Sequence, residues 1–148
     1  MLKKKAIIVD LDGTLCDVKH RLHFLEGVNK NFNLFNEHLD GDELNHWCAE
    51  IIRNFQAKNY SVLLVTGRGD AFREKTKFWL DKNKIIYDQL WMRKIFDQRE
   101  DAFVKQEIYL DEIKDHFDVL FVLEDRVSVV KMWRDLGLVC LQCDWGDF

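Results

Sequence analysis

Residues 5–9, Lys5-Ala6-Ile7-Ile8-Val9, run directly into Asp10-Leu11-Asp12-Gly13-Thr14-Leu15. A short, nearly continuous apolar run suits a strand covered on both faces, as in a parallel sheet. It stops at two carboxylates one residue apart, followed by a glycine that lets the backbone close around an anion. Two carboxylates held this close repel each other, so they need a cation between them or a proton on one of them. Phosphoryl transfer uses both options: one carboxylate attacks phosphorus and its neighbour moves the proton. A surface Asp-Gly turn is the plainer reading, but the buried run ahead of the motif places it at the active edge of a sheet.

The same arrangement recurs twice. Residues 61–65 stop at Thr66-Gly67-Arg68, and residues 118–123 stop at Glu124-Asp125-Arg126. Two weaker strands lie near 86–92 and 138–142. Helical patterns fall between them. In 42–56, Leu44, Trp47, Cys48, Ile51, Ile52 and Phe55 share one face. Phe72, Thr76, Trp79 and Leu80 mark a second helix, and a third is expected over about 101–114. A fourth, over about 127–136, presents Val129, Val130 and Trp133 and ends before Gly137, a residue suited to a C-terminal cap. Strands alternating with helices imply an α/β fold with a Rossmann-like, doubly wound parallel sheet of about five strands. Such sheets bind ligands at the carboxyl ends of their strands, where all three confident strands carry polar or charged residues. One domain over 1–148 is expected. No large cap domain remains, only a small substrate-facing insertion over 17–41.

Bulk composition narrows the class. The 148 residues are 47% hydrophobic and 13% aromatic, enough material for one core, and the net charge of −4 argues against a generally basic nucleic-acid binder. A polyanionic substrate would need a local cationic patch. The apolar run after the basic start is too short for a secretory core, and no stretch is long enough to span a membrane. The four cysteines are then expected reduced in a cytoplasmic chain. Cys140 and Cys143 form one CxxC, which without a second pair reads as alternate positions of a terminal strand rather than zinc ligands.

Three further groups carry two readings each. Thr66 and the amides after it could bind a phosphoryl oxygen or could cap the next helix. Asp101 and Lys105 share a helical face and would ordinarily be a solvent ion pair. Glu124 and Asp125 could cap a helix or complete a hard-cation site with Asp10.

Taken together, DLDGTL, TGR, a helix lysine and an acidic pair after a strand, in that order, resemble the four motifs of the haloacid-dehalogenase superfamily. Residues 99–108 and 129–134 and the closing Gly146-Asp147-Phe148 are similar to the 3′-phosphatase domain of phage polynucleotide kinase. The resemblance implies a magnesium-dependent phosphatase acting on polynucleotide 3′ ends. Asp10 would be nucleophile and magnesium ligand. Asp12 would be the acid–base group, its backbone carbonyl also reaching the metal. Thr66 would hold the transferring phosphoryl group, and Lys105, oriented by Asp101, would neutralise charge. Asp125, with Glu124 where that family has Asp, would complete the metal site. Arg21, eleven residues after Asp10, and Arg68 would hold the substrate phosphate or its neighbour; His20, Arg93 and Arg126 are further substrate-binding candidates. A separate polynucleotide kinase or ligase would be a natural partner, since this stretch has no GxxxxGK[ST] loop for kinase chemistry. Two other readings stay open: a nucleotidase for small mononucleotides, and a non-enzymatic, receiver-like magnesium-binding module.

Overall fold

A computed structural model describes residues 2–148. In chain order its elements are β1 (Lys4–Val9), β2 (Cys16–Asp17), a 3₁₀ helix (Lys19–Leu25), α1 (Phe32–Glu37), a 3₁₀ turn (Leu39–Gly41), β3 (Glu43–Leu44), α2 (His46–Ala57), β4 (Ser61–Gly69), a 3₁₀ turn (Asp70–Phe72) and α3 (Arg73–Lys82). They continue with β5 (Gln89–Arg93), α4 (Asp101–Ile108), β6 (Phe117–Arg126), α5 (Val127–Asp135) and β7 (Cys140–Gly146).

Five strands form one parallel sheet in the order β5-β4-β1-β6-β7. β1 is central because all four of Ala6, Ile7, Ile8 and Val9 can be buried at once, two on each face. Ile7 and Val9 join Val62, Leu64, Ile52, Trp79 and Leu80 in the core under α2 and α3. Ala6 and Ile8 join Leu63, Val65, Val129, Val130 and Trp133 in the core under α5. Each buried Ile or Val stabilises by roughly 1.5–3 kcal/mol, which is why the run cannot slip by one residue. The chain lays β4 and β5 on one side of β1 and β6 and β7 on the other, so the strand order reverses at β1. That is where an open α/β sheet leaves a crevice.

Several boundaries differ from the sequence reading. The helix expected from 42 starts at His46. Asp42 turns inward to buried arginines, Glu43 and Leu44 pair antiparallel with Asp17 and Cys16, and Asn45 ties back to Leu15 and Thr14. Leu44 therefore precedes the helical face it was assigned to, and Trp47 is half-exposed. Phe72 belongs to the 3₁₀ turn ahead of α3. The helix expected to 114 becomes a π-helical turn over Tyr109–Ile113. β4 and β6 run on through the polar motifs, and their pairing with β5 and β7 becomes irregular there. Such irregularities bend a strand and re-aim its side chains.

No helix is long and apolar enough to cross a membrane among the described residues. Gly137 follows α5 with φ +85°, the left-handed cap expected there. Gly137→Ala should cost about 1 kcal/mol through this backbone strain and lower Tm by roughly 3 °C. Thermal unfolding followed by circular dichroism checks it, and an unchanged Tm would contradict the cap.

Candidate active site

The carboxyl ends of β1, β4 and β6 bring two charge clusters together. The first is built on Asp10, which is 5% exposed. Its Oδ1 accepts from Lys105 Nζ at 2.8 Å and its Oδ2 from the Thr14 hydroxyl at 3.0 Å. Lys105, on α4, also donates to Glu124 Oε2 at 2.9 Å. Burial opposes its charge, but Asp10 and Glu124 outweigh burial and hold its pKa above the ordinary range. At 2% exposure it is no solvent ion pair.

Oxygens of Asp10, Glu124 and Asp125 lie within 4.8 Å of one another, all three residues buried. Three carboxylates against one ammonium leave an excess of two negative charges. Burial first, and the nearby Asp10 carboxylate second, push the pKa values of Glu124 and Asp125 up. One divalent cation would remove both the excess and the upward pressure, and carboxylate oxygens with room for water suit magnesium. The donor set thus fits the ion. Asp125 is seated between two glycines: a Cβ on Gly13 or Gly146 would lie 2.1 Å from its Oδ2.

The second cluster surrounds Asp12. Its Oδ1 accepts three bonds, from Arg21 Nη2 at 2.7 Å and from Arg68 Nε and Nη2 at 2.9 and 2.6 Å. No protein donor takes its Oδ2 among the described residues. Burial alone would raise the Asp12 pKa, but Arg68 and then Arg21 overcome it and hold the carboxyl well below its ordinary value of 3.8. This pairing stabilises the fold above that pH and is lost only as pH falls through the lower folded value. Both arginines are held from behind by Asp42, which accepts from Arg21 Nε and Nη2 at 2.7 Å each and from Arg68 Nη2 at 3.3 Å. His20 Nε2 also lies 2.7 Å from Asp42, and Trp79 donates to its backbone oxygen.

These contacts correct parts of the sequence reading. Arg21, expected on the substrate phosphate, is fully buried behind Asp12 and does not line the pocket. Arg68 lines the pocket, but its guanidinium is committed to Asp12, Asp42 and Thr76. The Asp12 carboxylate lies outside the Asp10–Glu124–Asp125 group, and the cations beside it are the two arginines. Asp101 makes no side-chain hydrogen bond or ion pair with Lys105, and reaches it only through its charge. It bridges Arg93 and Arg126, the latter at 3.0 Å, with its carboxylate pressed against Gly67. Asp42 was missed altogether; read as the start of an amphipathic helix, it carried no local signal of a role. Thr66 is buried beside the pocket, its hydroxyl oxygen accepting from the Arg68 amide at 3.1 Å, which leaves its proton free to donate.

All of this floors an open pocket of about 800 Å³. Lys30, Phe32, Asn33 and Asn36 from the region of α1 form one wall, and Arg93, Arg99, Arg126 and Phe148 contribute to the rest. Cys140 and Cys143 belong to neither metal-capable group among the described residues, and burial pushes both thiols up to about 12, where little thiolate exists at neutral pH.

A parallel sheet with this aspartate, lysine and acidic pair at its strand ends defines a phosphatase of the haloacid-dehalogenase class. Comparison with known proteins narrows this. Residues 4–148 match the family described as the polynucleotide kinase PNKP phosphatase domain, and the chain belongs to that family. It is 40% identical to a chain in the structure of a Pnkp1/Rnl/Hen1 complex, with a TM-score of 0.86, covering 99% of this chain and 48% of that one. A protein of Autographa californica nuclear polyhedrosis virus, described as a bifunctional polynucleotide kinase/RNA ligase, is 26% identical over 138 residues, 90% of this chain and 18% of the viral protein. The chain thus spans about half, or less, of these relatives. A class C acid phosphatase from Bacillus anthracis shares the fold at 13% identity and a TM-score of 0.67, covering 98% of this chain and 70% of that one.

Two variants probe the geometry. Gly146→Ala should displace Asp125 and lower phosphatase turnover by ~10²-fold, the cost of about 1 Å of misplacement at a reacting centre, while far-ultraviolet circular dichroism stays unchanged. Asp42→Asn leaves two buried arginines undercompensated and should destabilise the fold by roughly 3 kcal/mol, measured by urea unfolding. A loss below about 0.5 kcal/mol, the range of a surface substitution, would mean that Asp42 is not their counter-ion.

Proposed function

We propose that this chain is a magnesium-dependent phosphomonoesterase that works through an aspartyl phosphate on Asp10 and removes 3′-phosphates from polynucleotide ends. The observation that carries the reading is the open pocket: nucleophile and acid–base group lie on its floor, and its rim mixes cationic and aromatic side chains rather than closing over a small ligand. Bases stack on aromatic faces and backbones follow cationic walls. The printed descriptions of the relatives, a polynucleotide kinase/RNA ligase and a Pnkp1 chain in an RNA repair complex, support the same substrate class and point to kinase and ligase chains as partners.

Asp10, Glu124 and Asp125 would hold the magnesium ion, with the Asp12 backbone carbonyl beside them; the ion supplies charge neutralisation at the phosphoryl oxygens. A carboxylate oxygen of Asp10 forms the new bond to phosphorus as the bond to the 3′ oxygen breaks. Lys105 and the Thr66 hydroxyl stabilise the equatorial oxygens. Asp12, through its free Oδ2, gives a proton to the leaving oxygen. Water then attacks the aspartyl phosphate, Asp12 takes the proton back, and Asp10 is released. The arginine grip favours ionised Asp12, the form needed for the second step. For the first step that grip must loosen, and an incoming phosphate near Arg68 competes for it.

Asp10→Asn should remove turnover with the fold intact, and chelation followed by added magnesium should abolish and restore wild-type activity. Phosphate release is then compared for a 3′-phosphorylated oligonucleotide and for 3′- and 5′-mononucleotides. Preference for the oligonucleotide supports end healing. Equal or better turnover of mononucleotides would overturn the polynucleotide reading and leave a nucleotidase.

A further inference from the structure

Four side chains form a continuous column that runs from buried Arg21 to Arg126 at the pocket wall. The Arg21 guanidinium lies 4.0 Å from the centroid of Phe35. Phe35 and Phe148 meet with ring centroids 5.9 Å apart, tilted by 45°. The Arg126 guanidinium lies 4.9 Å from the centroid of Phe148. At one end of this column Arg21 grips Asp12, and at the other Arg126 pairs with Asp101. The column joins four separate pieces of chain: the 3₁₀ helix Lys19–Leu25, α1, the residues after β7, and the junction of β6 with α5.

Phe148 is partly buried against the edge of the core and lines both the main pocket and a second cavity of about 290 Å³. Two directional faces meet its ring, those of Phe35 and the Arg126 guanidinium. Aromatic pairs and cation–π contacts are directional, so they set an orientation that apolar volume alone does not. Phe35 in turn packs edge-on against Phe32, the aromatic residue that α1 presents to the pocket. Removing the Phe148 ring uncouples the α1 wall from Arg126.

We propose that Phe148 is a positioning residue: by stacking between Phe35 and Arg126 it sets the α1 wall and the Arg126 guanidinium in register, and so governs the grip on substrate beyond the transferring phosphate. This rests on the reading that the pocket takes a monoester with an extended leaving group. A substrate whose leaving group is too small to reach both walls should not depend on it.

The test uses Phe148→Leu, which keeps much of the volume and removes the ring, and Phe148→Tyr, which keeps the ring. KM and kcat are measured with magnesium on a 3′-phosphorylated oligonucleotide and on p-nitrophenyl phosphate. For Phe148→Leu, KM for the oligonucleotide should rise about tenfold, within the range of one partly exposed cation–π contact. Its kcat, and its kcat/KM on p-nitrophenyl phosphate, should stay within about twofold of wild type, as expected when binding alone is lost. Phe148→Tyr should restore the wild-type KM. Wild-type behaviour of Phe148→Leu on the oligonucleotide overturns the proposal, because volume then suffices. An equal fall on both substrates in either variant, or failure of the Leu variant to fold where Tyr folds with raised KM, also overturns it, because the role is then general packing. If wild type itself prefers mononucleotides, the polynucleotide reading fails separately. Phe148 is then judged by the same KM comparison on the mononucleotide.

Discussion

Oδ1 of Asp12 accepts three hydrogen bonds from two buried guanidinium groups, and Asp42 accepts three more from the same pair. Two aspartates and two arginines cancel, so this half of the site is neutral and can be buried without a bound ion. The other half is not balanced in this way: Asp10, Glu124 and Asp125 face a single ammonium, and their mutual repulsion is relieved either by protons or by a cation. The arginines thus lie on one side of the site and the acidic trio on the other, so the two aspartates of the motif have opposite surroundings: Asp12 is clamped by guanidinium groups with one oxygen left open, and Asp10 sits among carboxylates and one ammonium.

The backbone makes this separation affordable. β1 is buried on both faces, so Asp10 leaves the sheet at a defined height beside β6, its amide donating to the Leu123 carbonyl. Irregular pairing at the ends of β4 and β6 turns Thr66, Arg68, Glu124 and Asp125 toward the same crevice. Gly13, Gly67 and Gly146 admit carboxylates where a methyl group would collide. These glycines act through absence of a side chain, and two of them define the seat of one metal-site residue.

Around this floor, α1 and the residues flanking β5 and β7 supply an aromatic and cationic rim, tied to Asp12 through Arg21 and held at the other side by Asp101. The chain, a member of the PNKP phosphatase-domain family, thus carries an open-mouthed pocket over a buried charged floor, and it spans only part of the length of its relatives.

Much of this was legible in the chain itself. Runs such as Ile7-Ile8-Val9 and Val62-Leu63-Leu64-Val65 report burial on two faces, and period 3.6 marks Cys48, Ile52 and Trp79, because local backbone geometry decides which neighbours share a face. Strand period placed Asp10, Asp12, Thr66 and Asp125 at strand ends, while Lys105 taken alone read as a solvent ion pair; it was the order of the motifs, through their resemblance to the haloacid-dehalogenase superfamily, that pointed to the chemistry. What only the tertiary structure decided is pairing at a distance. Nothing near Asp42 shows that it meets Arg21 and Arg68; nothing near Asp101 shows that it chooses Arg93 and Arg126 over Lys105, four residues away. Arg21 looked free to hold substrate until packing on Phe35 buried it. Long charged side chains have many rotamers, and their partners are selected by the desolvation cost of leaving a buried charge unpaired, a quantity that exists only once the chain has folded.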